Sequence, residues 1–219
     1  MKLDNGYYSI LYNCEMRGYE HFYYASRPDT GNAKRKSNFF QDERLPKHCQ
    51  QKSTYSYKTT GSDPNFDRGH GISYNSHDFD ADVAYSTNAF SNIVPQSAPL
   101  NRRGLWRHTE KLVECHRDNG TVQVYGGVIW GDDTSNDLFI DSHGVVTPDF
   151  LYKIIEKTNG DRNAWIMPNN PSPKASDSKK YLVPVTTIEK LTGVVFNELK
   201  NKEKLAAREI ILPKYCDFS

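Results

Sequence analysis

The sequence predicts an α+β domain built on an antiparallel sheet, and three observations point there. Strand-like stretches outnumber helical ones, no regular βαβ alternation links them, and turn signals punctuate the chain. With 219 residues, 37% hydrophobic and 12% aromatic, the chain is long and apolar enough for a substantial core. Disorder would show fewer aromatics than these, which include 14 Tyr, and a larger net charge than +1. The same small charge means that any polyanion must be held by a local patch rather than a global field.

Taken in order, residues 6–27 alternate as a hairpin with Tyr7, Ile10 and Tyr12 on one strand and Phe22 and Tyr24 on the other. From Arg27 to Pro64 the chain is polar, "NAKRKSN", "LPKHC" and "TTGSDPN" among it, and reads as loops with at most one short element. A strand is expected through Ala89–Val94, stopped by Pro95. From Gly104, the apolar positions Leu105, Leu112, Val113 and Cys115 keep helical spacing until "DNG" ends the helix. "VQVYGGVIWG" gives a strand over Val122–Trp130, "TPDFLYKIIEK" one beyond Pro148, and "NAWIM" one over Asn163–Met167. "MPNNPSPKASDSKK" (167–180) reads as a surface loop rather than a linker, because the apolar pattern resumes at once. "YLVPVTTIEKLTGVVFNEL" is expected to be a strand turning into a helix capped by Thr186 or Thr187. Too little chain remains for a second core, so residues 1–219 are taken as a single domain.

No apolar run approaches the roughly 18–20 residues that cross a bilayer, and no membrane partner is expected. The N-terminus lacks a signal peptide's apolar core and cleavage site, which fits a cytoplasmic protein or a mature chain given a new Met1. Cys14, Cys49, Cys115 and Cys216 have no C-x-x-C spacing, so a zinc ribbon is disfavoured. Two disulfides in any of three connectivities, or four reduced buried thiols, both fit.

The chemistry concentrates in "PNFDRGHGISYNSHDFD". A neutral imidazole accepts protons near pH 7 and a guanidinium forks onto phosphate oxygens, so His70 is a candidate general base and Arg68 a phosphate clamp. Gly69 and Gly71 would allow positive φ or close approach of a large ligand. His21, His48, His77, His116 and His143 read instead as hydrogen-bonded structural residues. A second constellation follows: Asn88, Asn92 and Asn101, then Glu110 on the helix opening near Gly104. An amide oxygen can hold Mg²⁺ with most of its water shell, and a nearby carboxylate can reach those waters.

Together these stretches resemble the DNA/RNA non-specific endonucleases, the sugar-non-specific nucleases of the ββα-metal superfamily. The family's D-R-G-H stands here as Asp67-Arg68-Gly69-His70, a four-residue match that chance gives in about one such chain in a thousand. "N-x-x-x-S-N-x-x-P-Q" follows as Asn88 to Gln96, then "L-N…W…E", and the C-terminal half also looks alike, so the likeness covers roughly residues 60–200. The resemblance implies a Mg²⁺-dependent endonuclease of DNA and RNA, with Mn²⁺ or another divalent ion able to substitute. It implies His70 as general base, Asn101 as the direct metal ligand, Glu110 on metal-bound waters and Arg68 on the scissile phosphate. Asn92 would support the site by hydrogen bonding and Asn88 more loosely, near the substrate. An upstream arginine of the family falls at Arg35 or at Lys36 beside it. Arg102 and Arg103 would flank the site as substrate contacts.

One departure concerns the ligand itself. The family places Trp four and Glu eight residues after the metal Asn, whereas Trp106 and Glu110 stand five and nine after Asn101. Aligning on Trp106 would make Arg102 the ligand, which an arginine cannot be. A one-residue insertion between Asn101 and Trp106 keeps Asn101 in the role. The alternative function is a catalytically inactive nucleic-acid-binding or scaffold module. An active enzyme of this kind would be secreted, delivered as an effector or held by an inhibitor or immunity protein; oligomeric state is not indicated.

Overall fold

The spine of the computed structural model, which describes residues 1–59, 65–205, 209–214 and 216, is an antiparallel sheet of six strands. In chain order these are β1 (Lys2–Asp4), β2 (Tyr8–Asn13), β3 (Gly18–Ser26), then, past a separate ribbon, β6 (Val122–Ile129), β7 (Phe150–Lys157) and β8 (Arg162–Pro168). Spatial order follows sequence order, β1-β2-β3-β6-β7-β8. β2 alternates as an edge-side strand should, but Tyr8, Ile10 and Tyr12 point inward while Tyr7 is exposed, so the expected apolar phase begins one residue late. β6 and β7 are apolar almost throughout because both of their faces are covered.

One face carries α3 (Leu105–Arg117), whose Leu105, Trp106, Leu112 and Val113 pack with Phe22, Val124, Leu151 and Trp165. The other face carries α5 (Val185–Thr192), where Val185 and Ile188 meet Tyr125, Tyr152, Ile154 and Phe196. Neither expected threonine caps α5. Pro184 precedes its first turn, and the Thr186 N–H is satisfied by the Lys202 carbonyl instead. The expected strand before it is only a bridge of Leu182 to Trp165, and the 167–180 loop ends in a 3₁₀ turn, Ala175–Tyr181.

The ribbon is β4 (Phe66–His70) paired antiparallel with β5 (Ile93–Ser97). Two short helices stand close by, α1 (Ala81–Ser86) before β5 and α2 (Ala98–Arg103) after it, and α4 (Ile140–His143) lies between β6 and β7. The strand expected at Ala89–Val94 thus starts later and runs through Pro95, with a 3₁₀ turn at Phe90–Asn92 before it. Pro95 pairs with Arg68, and a two-stranded ribbon leaves its missing N–H without consequence on the outer side.

The cysteines form two disulfides, Cys14–Cys49 and Cys115–Cys216, spanning 35 and 101 residues. The first ties the β2–β3 turn to the loop after Pro46; the second ties α3 to the C-terminal segment. Among the described residues no helix is long and apolar enough to cross a membrane.

Candidate active site

β4 delivers Asp67, Arg68 and His70 to a cleft of about 850 Å³ whose lining also includes Arg35, Phe39, Tyr74, Asn101, Arg102, Arg107 and Glu110. Ribbon, α2 and α3 therefore bring Asn101 and Glu110 of the second constellation into the cleft that Arg68 and His70 line. The glycines beside His70 serve the protein's own packing rather than a ligand. A Cβ at Gly69 would lie 2.4 Å from Gln96 Cβ, one at Gly71 would lie 2.8 Å from the Phe22 ring, and neither has positive φ.

His70 is 8% exposed, and its Nε2 lies 3.0 Å from Asn88 Oδ1. The Asn88 amide nitrogen donates to the carbonyls of Lys36 (2.9 Å) and Asn38 (3.0 Å), so its oxygen is the acceptor toward the imidazole. Nε2 then carries the ring proton and Nδ1 is the bare nitrogen. Burial, opposed by the Asn88 hydrogen bond and reinforced by Arg35 and Arg68, pulls the imidazole down to about 4. It is neutral at pH 7. Asn88 itself is 1% exposed and does not line the cleft: it holds histidine and the basic loop rather than facing substrate. Asn92, fully buried, bonds the Ile72 N–H (2.8 Å), the Ile72 carbonyl (3.0 Å) and the Thr87 carbonyl (2.8 Å), pinning the chain just after His70 without touching the ring.

Arg68 spends one guanidinium nitrogen on the Thr54 carbonyl (3.1 Å) and lies 3.8 Å from the centre of the Phe39 ring. Arg35 lines the cleft, braced 5.3 Å from the Tyr74 ring centre. Lys36 does not; its ammonium sits over Tyr85 and near Asp82. Arg103 lies outside the cleft too, in a neighbouring groove with Asn65, Pro99 and Pro171.

Asp67 links the ribbon to α2. It accepts from Asn101 Nδ2 at 2.9 Å and from Arg102 through Nε at 2.9 Å and a second nitrogen at 2.5 Å. The Asn101 amide nitrogen being occupied, its carbonyl oxygen is the atom it can offer a cation. Arg102 is committed to a carboxylate. Between Asn101 and Trp106 the chain leaves helical geometry at Gly104 (φ −86°, ψ −160°), so α3 opens where the sequence placed it and α2, which the sequence did not show, precedes it. A Cβ at Gly104 would stand 2.7 Å from Leu100 Cα and from the Pro173 carbonyl, so only glycine fits this junction. On α3 Glu110 accepts from Arg107 Nη1 at 3.1 Å, and the same nitrogen lies 3.5 Å from Glu114.

An oxygen donor on Asn101 and a carboxylate on Glu110 in one polar cleft is a donor set suited to a hard cation that keeps several waters. Two cleft-lining residues escaped sequence reading, Phe39 and Tyr74, and so did the anchoring role of Asp67. The signal for Asp67 was available, inside the quoted motif. Aromatic bracing of arginines has no local signature.

A family model described as DNA/RNA non-specific endonuclease matches residues 2–203. The chain is 27% identical over 176 residues to the mitochondrial Endonuclease G of Homo sapiens, covering 74% of this chain and 57% of that protein. It is also 27% identical over 205 residues to the mitochondrial Endonuclease G of Bos taurus, covering 86% of this chain and 66% of the relative. The match to the mitochondrial nuclease EXOG of Mus musculus is 27% over 175 residues, 68% of this chain and 46% of that one. The chain thus spans between about half and two thirds of the length of these relatives. In fold it is similar to a chain of a crystal structure of the EndoG/EndoGI complex, on the mechanism of EndoG inhibition, with a TM-score of 0.75, 20% identity, and 92% and 87% of the two chains covered.

Proposed function

Since the chain belongs to the DNA/RNA non-specific endonuclease family, we propose that it hydrolyses internal phosphodiester bonds of DNA and RNA with the help of a divalent ion, Mg²⁺ first. The observation that supports this most is the pairing of a buried neutral His70, its Nε2 held by Asn88, with Asn101 and Glu110 in the same cleft. In this reading His70 Nδ1 takes a proton from the attacking water while the water oxygen bonds to phosphorus and the bond to the leaving oxygen breaks. Arg68 and Arg35 hold the non-bridging oxygens. Asn88 is a positioning residue, not a substrate contact: it fixes the tautomer and, through the Lys36 and Asn38 carbonyls, ties the base to the arginine loop. Asn101 would hold the ion by its carbonyl oxygen and Glu110 would hold the ion's waters, with Mn²⁺ or another divalent ion able to replace Mg²⁺. Bound there, the cation supplies charge that stabilises the leaving oxygen. Arg102 keeps Asp67 in place and adds positive charge at the rim, and Arg103 extends it into the adjoining groove.

Such contacts position a backbone without reading bases, which fits a substrate class of DNA and RNA with little sequence preference. The two disulfides support placing the protein in an oxidising, extracytoplasmic space. An enzyme this indiscriminate also calls for an inhibitor or immunity partner wherever it meets its own cell's nucleic acid. The test is a Mg²⁺ titration of DNA and RNA cleavage. Asn101→Ala should require more Mg²⁺ than the wild type, and Arg102→Ala should lose substrate affinity in added salt at unchanged Mg²⁺ demand. An unchanged Mg²⁺ requirement in Asn101→Ala would remove Asn101 as ligand.

A further inference from the structure

Lys153 is the one lysine of the described residues that is buried outright: it is 0% exposed, in the middle of β7, and its Nζ has no hydrogen-bond partner. Lysine is almost never buried like this without a compensating charge, because an ammonium loses its hydration and here regains no hydrogen bond. What faces it is α3. The ammonium stands 3.6 Å from the centre of the Trp106 ring. Trp106, Glu110 and Glu114 are spaced i, i+4, i+8 and so lie in a row along one side of that helix. Arg107 reaches both carboxylates with a single nitrogen, at 3.1 and 3.5 Å. Glu114 is 5% exposed and its second oxygen is buried without a partner.

Two carboxylates and one guanidinium leave one negative charge over in a row that runs from the cleft-lining Glu110 to the buried Glu114, and Arg117, which also acts on Glu114, is already shared by Asp29 and Asp78. The Lys153 ammonium, which hydrogen-bonds to neither carboxylate, is the buried cation on which both act. Burial draws that ammonium down to about 8, while Glu110 and Glu114 hold it up against burial and Arg107, so it is still mainly cationic at pH 7.

We propose that Lys153 is a positioning residue for Glu110: its buried ammonium is the internal counter-ion of the Glu110–Arg107–Glu114 row, and its seat on Trp106 fixes the turn of α3 that presents Glu110 to the cleft. The proposal rests on the reading of Glu110 as part of the active site. It assigns function to a residue that touches neither substrate nor ion.

A charge-balance cycle tests it, with Lys153→Met and Glu114→Gln made singly and together. Two readouts are taken, melting temperature in EDTA and plasmid cleavage in Mg²⁺. Lys153→Met keeps the volume but leaves the row negative, and should lower the melting temperature and cleavage, the latter on the order of tenfold or more, as loss of an outer-sphere partner does. Adding Glu114→Gln removes the surplus charge, and should recover most of both losses. A packing role for Lys153 gives no such rescue, since the glutamine fills no space the methionine left. A double variant no better than Lys153→Met, whether both melt early or neither folds, overturns the proposal. So does wild-type cleavage by Lys153→Met. If the wild type itself does not cleave, the nuclease reading fails, while the melting arm still decides the charge balance on its own.

Discussion

His70 is the proposed general base. A base must be unprotonated to act, and burial secures that by drawing the imidazole down to about 4. The active form is the neutral one, so cleavage should persist as pH falls through 6.5, where an ordinary histidine is lost, and decline only toward pH 4. Asn88→Asp would put a carboxylate against Nε2, favour the imidazolium, and shift that acidic decline toward neutral pH. A pH–rate profile of both proteins at saturating Mg²⁺ checks the sign; an unmoved decline would detach Asn88 from the base. Asn88→Ala frees the ring and the 36–38 backbone together, and should reduce turnover by up to the roughly 10²–10⁴-fold that a general base contributes. The sequence made His70 legible because "DRGH" is compact in the chain. It did not show that Asn88 turns inward onto His70, because which face an asparagine presents depends on a partner 18 residues away.

The elements show where local reading stops. β6, β7 and β8 could be read directly, since long apolar runs bounded by turn residues fit little else. α2 could not: six residues opening with Ala-Pro give no periodicity, and their helicity comes from packing on the ribbon. Pro95 misled in the other direction, because its usual veto on strands applies to strands with two neighbours. A charge inside the β7 run, Lys153, interrupts the apolar pattern, and only the covering of both faces of that strand makes it a buried one. The clamp between elements carries its own prediction. Asp67→Ala releases Asn101 and Arg102 at once, so it should raise the Mg²⁺ needed for cleavage as Asn101→Ala does, although Asp67 offers the ion nothing directly. Gly104→Ala should depress the melting temperature, because its methyl would sit 2.7 Å from the Leu100 backbone. A wild-type Mg²⁺ requirement in Asp67→Ala would mean that α2 is held by other contacts.

For the whole molecule, the near-neutral formal charge of +1 conceals a cleft lined by Arg35, Arg68, Arg102 and Arg107. Binding of nucleic acid to the His70→Ala protein in EDTA should therefore weaken steeply with salt, by a log–log slope of about 0.9 for each phosphate neutralised on a duplex. The two disulfides predict that the denatured, unreduced protein has fewer than two reactive thiols, and that reduction lowers the melting temperature, the Cys115–Cys216 link closing the longer loop and contributing more. Four titratable thiols in protein from an oxidising compartment would weigh against export. The proposed activity is cleavage of phosphodiester bonds by a metal-assisted histidine. Supercoiled plasmid incubated with wild type and with His70→Ala, each in Mg²⁺ and in EDTA, tests it most directly. The expected result is nicking and then complete digestion by the wild type in Mg²⁺ alone, with His70→Ala slower by roughly 10²–10⁴-fold or more while still binding the DNA. Wild-type digestion undiminished by EDTA, near-normal digestion by His70→Ala, or binding without any cleavage by the wild type would contradict it.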